Sequence, residues 1–429
     1  MKKNIKLIVP SLVFILILFA FYKLDEKDLF NNLKFANQGF RINALIKTDE
    51  AFNKTNTYLL YYLENSNDKG ERVEEYNPVE LFGDDMGIYF FVVAVKNSLN
   101  ISTIPNAYLL LFSLFIISGF FVATIGFSLL FDDKLSKIYS YSLYCLLSLF
   151  CFFVMNVYIL SFFIISFIPL IIYFLKKADS SKSKLFLLIL FFIGVFIGIS
   201  NKFRSNSGTG LLLFFILYVL FYNKNNFSIK YKIICLLFIT MPIYIPSIYF
   251  NHLINKRNNW LIEHKYENKI NLVNNKHVLW HSLYLGMGFG NNKYGITCHD
   301  TTGFNVAKKI NKKLEIDFYK YPKEYEDIMK NVCLKIIIND KIFFLKTLFQ
   351  KFIYVLMFIF ISFNLGIYYF FKTKSSFKTI LIFLITFGFY IIPGVLVYPF
   401  PMYYIGGISI VVIANILLFE KYIKSIRII

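Results

Sequence analysis

Two acidic doublets stand out because each lies in a polar segment close to apolar residues. Asp84 and Asp85 occupy "LFGDDMGIYFF", where flanking glycines allow a turn. Asp49 and Glu50 form the second doublet, in "KTDEAF". A carboxylate at a membrane surface can act as a general base on an acceptor hydroxyl, or it can hold a divalent cation such as Mg²⁺ or Mn²⁺. The alternative for both doublets is a solvated loop acid without a chemical role.

A short polar loop, "NKFRSNSGTG", contains Arg204. A planar guanidinium group suits bidentate contact with phosphate oxygens. The serine, glycine and threonine residues that follow provide hydroxyl groups and backbone freedom, which suit an anion. The loop therefore predicts a phosphate contact. The structural alternative is a flexible turn whose arginine extends to the membrane surface.

A later segment, "VLWHSLYLGMGFGNNKYGITCHDTTGF", combines aromatic, basic and acidic residues. Trp280 and Tyr284 are candidates for stacking on a sugar, and membrane anchoring is the alternative. His281 is a candidate base, phosphate donor or metal ligand, and a structural histidine is the alternative. Asp300 is a further candidate for substrate binding.

Cysteine chemistry is a weaker prediction for the same segment. Cys298, His299 and Asp300 have the residue types of a catalytic triad, but direct neighbours cannot face each other as a triad requires. This excludes a cysteine hydrolase. Cys298 and Cys333 could form a disulfide if the segment lies outside the cytoplasm, and the sequence leaves that open.

Membrane-spanning helices must position these residues. The chain has 429 residues, of which 57% are hydrophobic, and its mean hydropathy is +0.56. A soluble protein could not bury that much apolar surface. We expect an all-α polytopic membrane protein with about ten spans. They are placed near 6–22, 106–130, 138–154, 157–175, 185–200, 211–222, 233–250, 352–370, 379–398 and 403–420. The first has no small-residue cleavage site after it, so we interpret it as an uncleaved helix rather than a signal peptide.

The short connections predict the orientation. With both termini in the cytoplasm, the inner segments hold eighteen Lys and Arg residues, whereas the short outer connections hold only Lys202 and Arg204. This predicts a multi-pass protein of the bacterial cytoplasmic membrane with two long extracytoplasmic segments, 23–105 and 251–351. The latter ends in an amphipathic, basic helix that we expect along the membrane surface. Spans two to seven occupy 106–250, and spans eight to ten occupy 352–429.

The two outer segments have opposite charge. Residues 23–105 have a net charge of −4 and residues 251–351 have a net charge of +8. Together they could serve a substrate that has a nucleophile and a phosphate. The net charge of the whole chain, +20, follows mostly from the inner segments. It therefore does not indicate a nucleic-acid partner.

This layout resembles the GT-C class of membrane glycosyltransferases, which have several spans, catalytic acids in a large first outer loop and a lipid-phosphate-linked sugar donor. Asp49-Glu50 and Asp84-Asp85 lie about where that class has acidic motifs. The elements "GDDMGIY", "FRSNSGTG", "WHSLYLGMGFGNNKYGI" and "HDTTGF" also resemble a family of uncharacterised bacterial envelope-polysaccharide membrane proteins. The acidic motif is less regular than in the protein-mannosylating or lipid-A-modifying enzymes, so either doublet could supply the catalytic acid.

The resemblance implies transfer of a sugar from a polyprenyl-phosphate or polyprenyl-diphosphate donor to an envelope glycan or lipid acceptor. Asp84 or Asp85 would deprotonate or orient the acceptor, with Asp49 and Glu50 as the alternative pair. Arg204 and His281 would stabilise the leaving phosphate. Competing functions are a polysaccharide polymerase or ligase that uses Arg204 and His281, a flippase for lipid-linked glycans, and a non-catalytic envelope scaffold.

Overall fold

The computed structural model describes residues 14–15, 38–66, 72–81, 85–176, 183–221, 228–274, 279–315, 321–363, 365–372 and 377–426. Asp84 lies outside these ranges. The first predicted span, near 6–22, also lies outside them except for Phe14 and Ile15.

The described chain is helical except for one hairpin and short connections. The helices are α1 (Gln38–Thr55), α2 (Met86–Ser98), α3 (Ile104–Leu130), α4 (Lys134–Val154), α5 (Ile159–Ile165), α6 (Ile168–Lys176), α7 (Ser183–Phe203), α8 (Thr209–Phe221), α9 (Ile229–Thr240), α10 (Tyr244–Glu263), α11 (Glu267–Asn274), α12 (Leu279–Gly286), α13 (Asp300–Ile310), α14 (Pro322–Asn339), α15 (Lys341–Phe363), α16 (Leu365–Lys372), α17 (Phe377–Leu396) and α18 (Ile405–Ile426). The antiparallel hairpin pairs β1 (Leu60–Ser66) with β2 (Arg72–Pro78), with Leu60 opposite Pro78.

Eight helical segments of the described chain are long and apolar enough to cross a membrane. They are α3, α4, α5 with α6, α7, α9 with α10, α15, α17 and α18. The chain is therefore a multi-pass, predominantly helical membrane protein, as the composition predicts. The sixth predicted span corresponds to α8, whose 13 residues fall short of the roughly 20 needed to cross a membrane.

Two helices extend beyond the spans predicted from hydropathy. Helix α15 begins at Lys341 rather than near residue 352, so the start of this helix takes up part of the predicted surface helix. The separate α14 ends at Asn339, and the carboxylate of Asp340 accepts the Phe343 N–H at 3.1 Å to cap α15. Likewise, α10 continues past residue 250 to Glu263.

Helix α18 lies at the centre of the membrane core. It packs against α4, α5, α16 and α17, and its buried face runs from Ile405 to Glu420. Tyr390 of α17 lies against Gly406, where an added Cβ would come within 2.3 Å of the tyrosine ring. The hydroxyl of Tyr390 donates to the Ser207 carbonyl at 3.0 Å. This contact ties the loop that contains Arg204 to the bundle.

Ion pairs join the two outer segments. Arg257 on α10 is 2% exposed and pairs with Glu80, and Lys269 on α11 pairs with Glu75 on β2. The hairpin also packs on α10 through a small apolar cluster that includes Tyr76. The acidic first segment and the basic second segment are therefore in direct contact, and their opposite charges contribute to that contact.

Candidate functional site

Asp85 lies between two arginines from distant parts of the chain. One of its oxygens accepts a hydrogen bond from Arg41 at 2.6 Å, and the other accepts one from Arg204 at 3.2 Å. Asp85 is 2% exposed. A buried carboxylate is stable only when it is paired and hydrogen-bonded, and these two guanidinium groups meet that need. The three side chains together have one net positive charge.

Helix ends bring these three residues together. Arg41 lies in the first turn of α1, Asp85 immediately precedes α2, and Arg204 immediately follows α7. Gly87 permits the close approach of α2 to α7, because a Cβ at this position would lie 2.6 Å from the carbonyl carbon of Lys202. The site is therefore assembled by helix packing.

Two tyrosines extend this cluster. The Arg204 guanidinium lies over the ring of Tyr158, with its carbon 5.0 Å from the ring centroid. The Tyr158 ring packs edge-on against Tyr403, with centroids 5.1 Å apart. Tyr158 and Tyr403 therefore form an aromatic pair beside Arg204.

His281 and Asp300, each a predicted site residue, form a second polar cluster. His281 Nε2 lies 3.2 Å from an Asp300 carboxylate oxygen, and Nδ1 is hydrogen-bonded to the Tyr325 hydroxyl. The imidazole also stacks on Phe304, with an interplanar angle of 15°. Because a carboxylate only accepts, Nε2 donates to Asp300, and in the neutral imidazole Nδ1 accepts from the Tyr325 hydroxyl.

The two members of this pair differ in exposure. The His281 side chain is 12% exposed, whereas that of Asp300 is 72% exposed. The hydrogen bond from His281 lowers the pKa of Asp300 below its ordinary value. Asp300 is thus an accessible carboxylate, and the partly buried histidine fixes its orientation.

Glu326 supports the helix that positions His281. It is 4% exposed, and its carboxylate accepts the backbone N–H groups of Trp280 at 3.0 Å and His281 at 3.2 Å. These N–H groups lie at the start of α12 and have no partner within the helix. The Cys333 thiol donates to the Trp280 carbonyl at 3.4 Å. Cys333 and Cys298 are both free thiols, so no disulfide joins them.

The Asp49-Glu50 doublet is separated by helical geometry. Asp49 points inward and accepts from Lys96 at 2.6 Å and from Asn97 at 3.3 Å, which ties α1 to α2. Glu50 pairs with Lys47, one turn earlier on the surface of α1. These contacts account for both acids structurally, and the structure does not bring either acid to the Asp85 carboxylate.

The two aromatic candidates, Trp280 and Tyr284, pack into an apolar cluster. Tyr284 is 3% exposed in the apolar cluster of the second outer segment, so its ring is not available to stack on a sugar. Trp280 is partly buried against the same cluster. Arg41, Tyr325 and Glu326 were not among the predicted site residues. Of these three, only Arg41 could have been recognised in the sequence, because arginines are few and it lies two turns before Asp49.

No group of three or more His, Cys, Asp or Glu side chains that could hold a metal ion occurs among the residues that the structure describes. The arrangement offers a cationic pair around Asp85 and, in a second cluster, the Asp300 carboxylate oriented by His281. Comparison of the chain with protein-family models, curated proteins and solved structures gave no match.

Proposed function

We propose that the chain is a membrane glycosyltransferase. It moves a sugar from a polyprenyl-phosphate or polyprenyl-diphosphate donor to a glycan or lipid acceptor at the outer face of a bacterial cytoplasmic membrane. The observation that carries this proposal is the convergence of Arg41 and Arg204 on Asp85 at the ends of membrane helices. The other outer segment contributes the paired His281 and Asp300.

The arginine cluster binds the phosphate of the donor. Two guanidinium groups attract the phosphate oxygens and stabilise the negative charge that develops on the leaving phosphate. Asp85 acts as a positioning residue, because its two oxygens fix one arginine each. Both of its oxygens are engaged by arginines and it is 2% exposed, so it is not placed to take a proton from an acceptor. Asp84, outside the described residues, stays an alternative base.

Asp300 acts as the general base for the acceptor hydroxyl. The acceptor hydroxyl oxygen attacks the anomeric carbon as the bond from that carbon to the phosphate oxygen breaks, and the bonding electrons leave with the phosphate. The hydroxyl proton passes to the Asp300 carboxylate, which His281 orients. A single displacement inverts the anomeric configuration. The products are the extended acceptor and the polyprenyl (di)phosphate. A polymerase or ligase would use the same groups with a glycan as the acceptor.

The transporter alternative predicts ionisable groups inside the spans that face a cavity. Lys351 on α15 is buried, but its ammonium group donates to the carbonyls of Gly286, Leu396 and Val397 at 2.9, 3.0 and 3.4 Å. Those three contacts match its three N–H donors. Lys351 therefore has a structural role that joins α12, α15 and α17, and it does not favour transport.

The test follows label from donor to acceptor. The purified chain in lipid nanodiscs receives radiolabelled lipid-linked glycan and membrane acceptors extracted from the producing cells. We expect Asp300→Asn to slow transfer by about 10²–10⁴-fold, and Arg204→Met to slow it by about 10²–10³-fold. His252→Ala, an exposed histidine on α10, is the matched control and should transfer at the wild-type rate. Absence of transfer by the wild type, or wild-type rates in both site variants, would contradict the proposal.

A further inference from the structure

A cleft of about 550 Å³ opens beside the outer end of α10. It contains four rings, those of Tyr76, Trp260, His264 and Tyr266, and we call it the Trp260 cleft. Its other lining residues are Lys54, Thr55, Glu74, Glu263 and Lys265. Small-ligand clefts have volumes of roughly 300–1,000 Å³, so the volume suits a ligand of a few rings.

The rings of the Trp260 cleft are arranged around the indole. His264 stacks on Trp260 with centroids 3.9 Å apart, and the Tyr266 ring is parallel to the indole at 6.4 Å. Tyr76 meets Trp260 edge-on at 5.0 Å. The Tyr266 hydroxyl donates to the Glu74 carbonyl at 3.0 Å. The rings are therefore held in place before any ligand arrives.

The end of α10 is folded so that Tyr266 lies beside Trp260. The Tyr266 N–H donates to the Leu261 carbonyl at 2.7 Å, and the Lys265 N–H donates to the Ile262 carbonyl at 3.1 Å. This pattern ends helices with one left-handed residue, and that position usually has glycine. Lys265 occupies it with φ +65°. A lysine in that conformation retains a cation at the edge of the cleft.

The polar lining identifies the ligand class. The cleft has two lysines and two glutamates, so it lacks the net positive charge that a phosphate or nucleic acid requires. Its ring faces are flanked by donors and acceptors, whereas an acyl chain requires apolar walls. A pyranose matches both features, because its C–H face can stack on an aromatic ring while its hydroxyls bond to carboxylates and ammonium groups. We propose that the Trp260 cleft binds a neutral glycan.

The position of the cleft fits a glycan that extends from the reaction site. The Phe250 ring on α10 packs against Phe90 of α2 at 5.5 Å, and Phe90 lies five residues after Asp85, or about 7.5 Å along α2. Trp260 lies ten residues further along α10, which corresponds to about 15 Å of helix. On the proposed function, the cleft would hold sugars beyond the reacting one. Glycan binding by the cleft does not itself depend on transfer.

The chain has only two tryptophans, Trp260 and Trp280, which makes a specific test possible. In a Trp280→Phe background, tryptophan emission reports on the Trp260 cleft alone. The probe is the neutral glycan fraction released by mild acid from the envelope of the producing cells. We expect a saturable change in emission, and we expect Tyr266→Ala to weaken binding at least about tenfold, which corresponds to ~1.4 kcal/mol.

Three further variants make the result decisive. Tyr266→Phe keeps the ring but loses the hydroxyl bond to the Glu74 carbonyl, so it should bind more tightly than Tyr266→Ala. Tyr294→Ala removes an exposed tyrosine outside the cleft and should bind as the parent does. Arg204→Met should bind the released glycan normally, because this glycan has no lipid phosphate. Absence of a saturable change, or equal binding by Tyr266→Ala and Tyr294→Ala, would overturn the inference. Normal glycan binding without transfer would contradict the proposed function only.

Discussion

Burial determines the role of Asp85. In Asp85→Asn, the amide cannot neutralise Arg41 and Arg204, whose guanidinium groups then repel each other in a desolvated site. Removal of one partner from a buried ion pair costs about 3–5 kcal/mol. We therefore expect Asp85→Asn to lower the midpoint of thermal unfolding in nanodiscs. Asp300→Asn, at an exposed carboxylate, should melt as the wild type does. Equal melting of all three proteins would contradict the structural role of Asp85.

Lys351 provides a residue-scale test of packing among α12, α15 and α17. Lys351→Met keeps the length of the side chain but leaves three carbonyl oxygens without their shared donor. An unsatisfied buried polar group costs about 1–3 kcal/mol. We expect a clear loss of thermal stability, while Lys346→Met, at an exposed position on the same helix, should have no effect. A stable Lys351→Met protein would show that the ammonium group is dispensable for the fold.

The His281–Asp300 contact predicts a pH dependence. Because the hydrogen bond from His281 lowers the pKa of Asp300, the carboxylate form persists to lower pH than that of an isolated aspartate. The contact is intact at neutral pH and is lost as the pH falls through this lowered pKa. In His281→Ala, the acid limb of the transfer rate should therefore move to higher pH. A limb at the same pH in both proteins would show that His281 does not act through Asp300.

The residues of the site could be predicted only in part. Asp85, Arg204, His281 and Asp300 could be chosen from the sequence because each lies in a short motif with glycine, hydroxyl or aromatic residues. Their pairing could not be predicted, since Asp85 and Arg204 are 119 residues apart and meet only because α2 packs on α7. Tyr325 and Glu326 lie in an ordinary amphipathic helix, so nothing in the local pattern distinguishes them.

At the scale of elements, Gly87 sets the distance between α2 and α7. An alanine Cβ would lie 2.6 Å from the Lys202 carbonyl carbon, so the helices must separate, at a cost of about 1–3 kcal/mol. Separation moves Asp85 away from Arg204. We expect Gly87→Ala to lower both thermal stability and transfer. Gly388→Ala is the matched control, because a Cβ there has no atom within 4 Å. Equal behaviour of the two variants would contradict this role for Gly87.

The limits of hydropathy explain which element boundaries could be predicted. A window of apolar residues locates the part of a helix that lies in lipid, and eight predicted spans coincide with apolar helical segments. Helices α10 and α15 extend beyond the predicted spans because backbone hydrogen bonding, not hydropathy, determines where they end. Helix α15 begins at the Asp340 cap, and α10 ends at the left-handed Lys265. Each strand of the hairpin has only seven residues and lies in a polar segment. The alternation of apolar and polar residues there is too short to predict a strand.

At the scale of the whole molecule, the orientation is testable by chemical labelling. Lys293 and Lys424 are exposed at positions that the charge pattern places on opposite sides of the membrane. In a background without the five native cysteines, we expect a membrane-impermeant maleimide to label Lys293→Cys but not Lys424→Cys in intact cells, while both should react after permeabilisation. The opposite pattern would invert the topology and place the candidate site on the cytoplasmic side.

The most direct test of the central claim is binding of a lipid phosphate by Arg41 and Arg204. The measurement compares the affinity of the chain in nanodiscs for a long-chain polyprenyl phosphate with its affinity for the corresponding polyprenol. We predict that the wild type prefers the phosphate by at least about tenfold, or ~1.4 kcal/mol, and that Arg41→Met and Arg204→Met each reduce this preference. Equal affinity of the wild type for the two lipids, or an unchanged preference in both variants, would contradict the account.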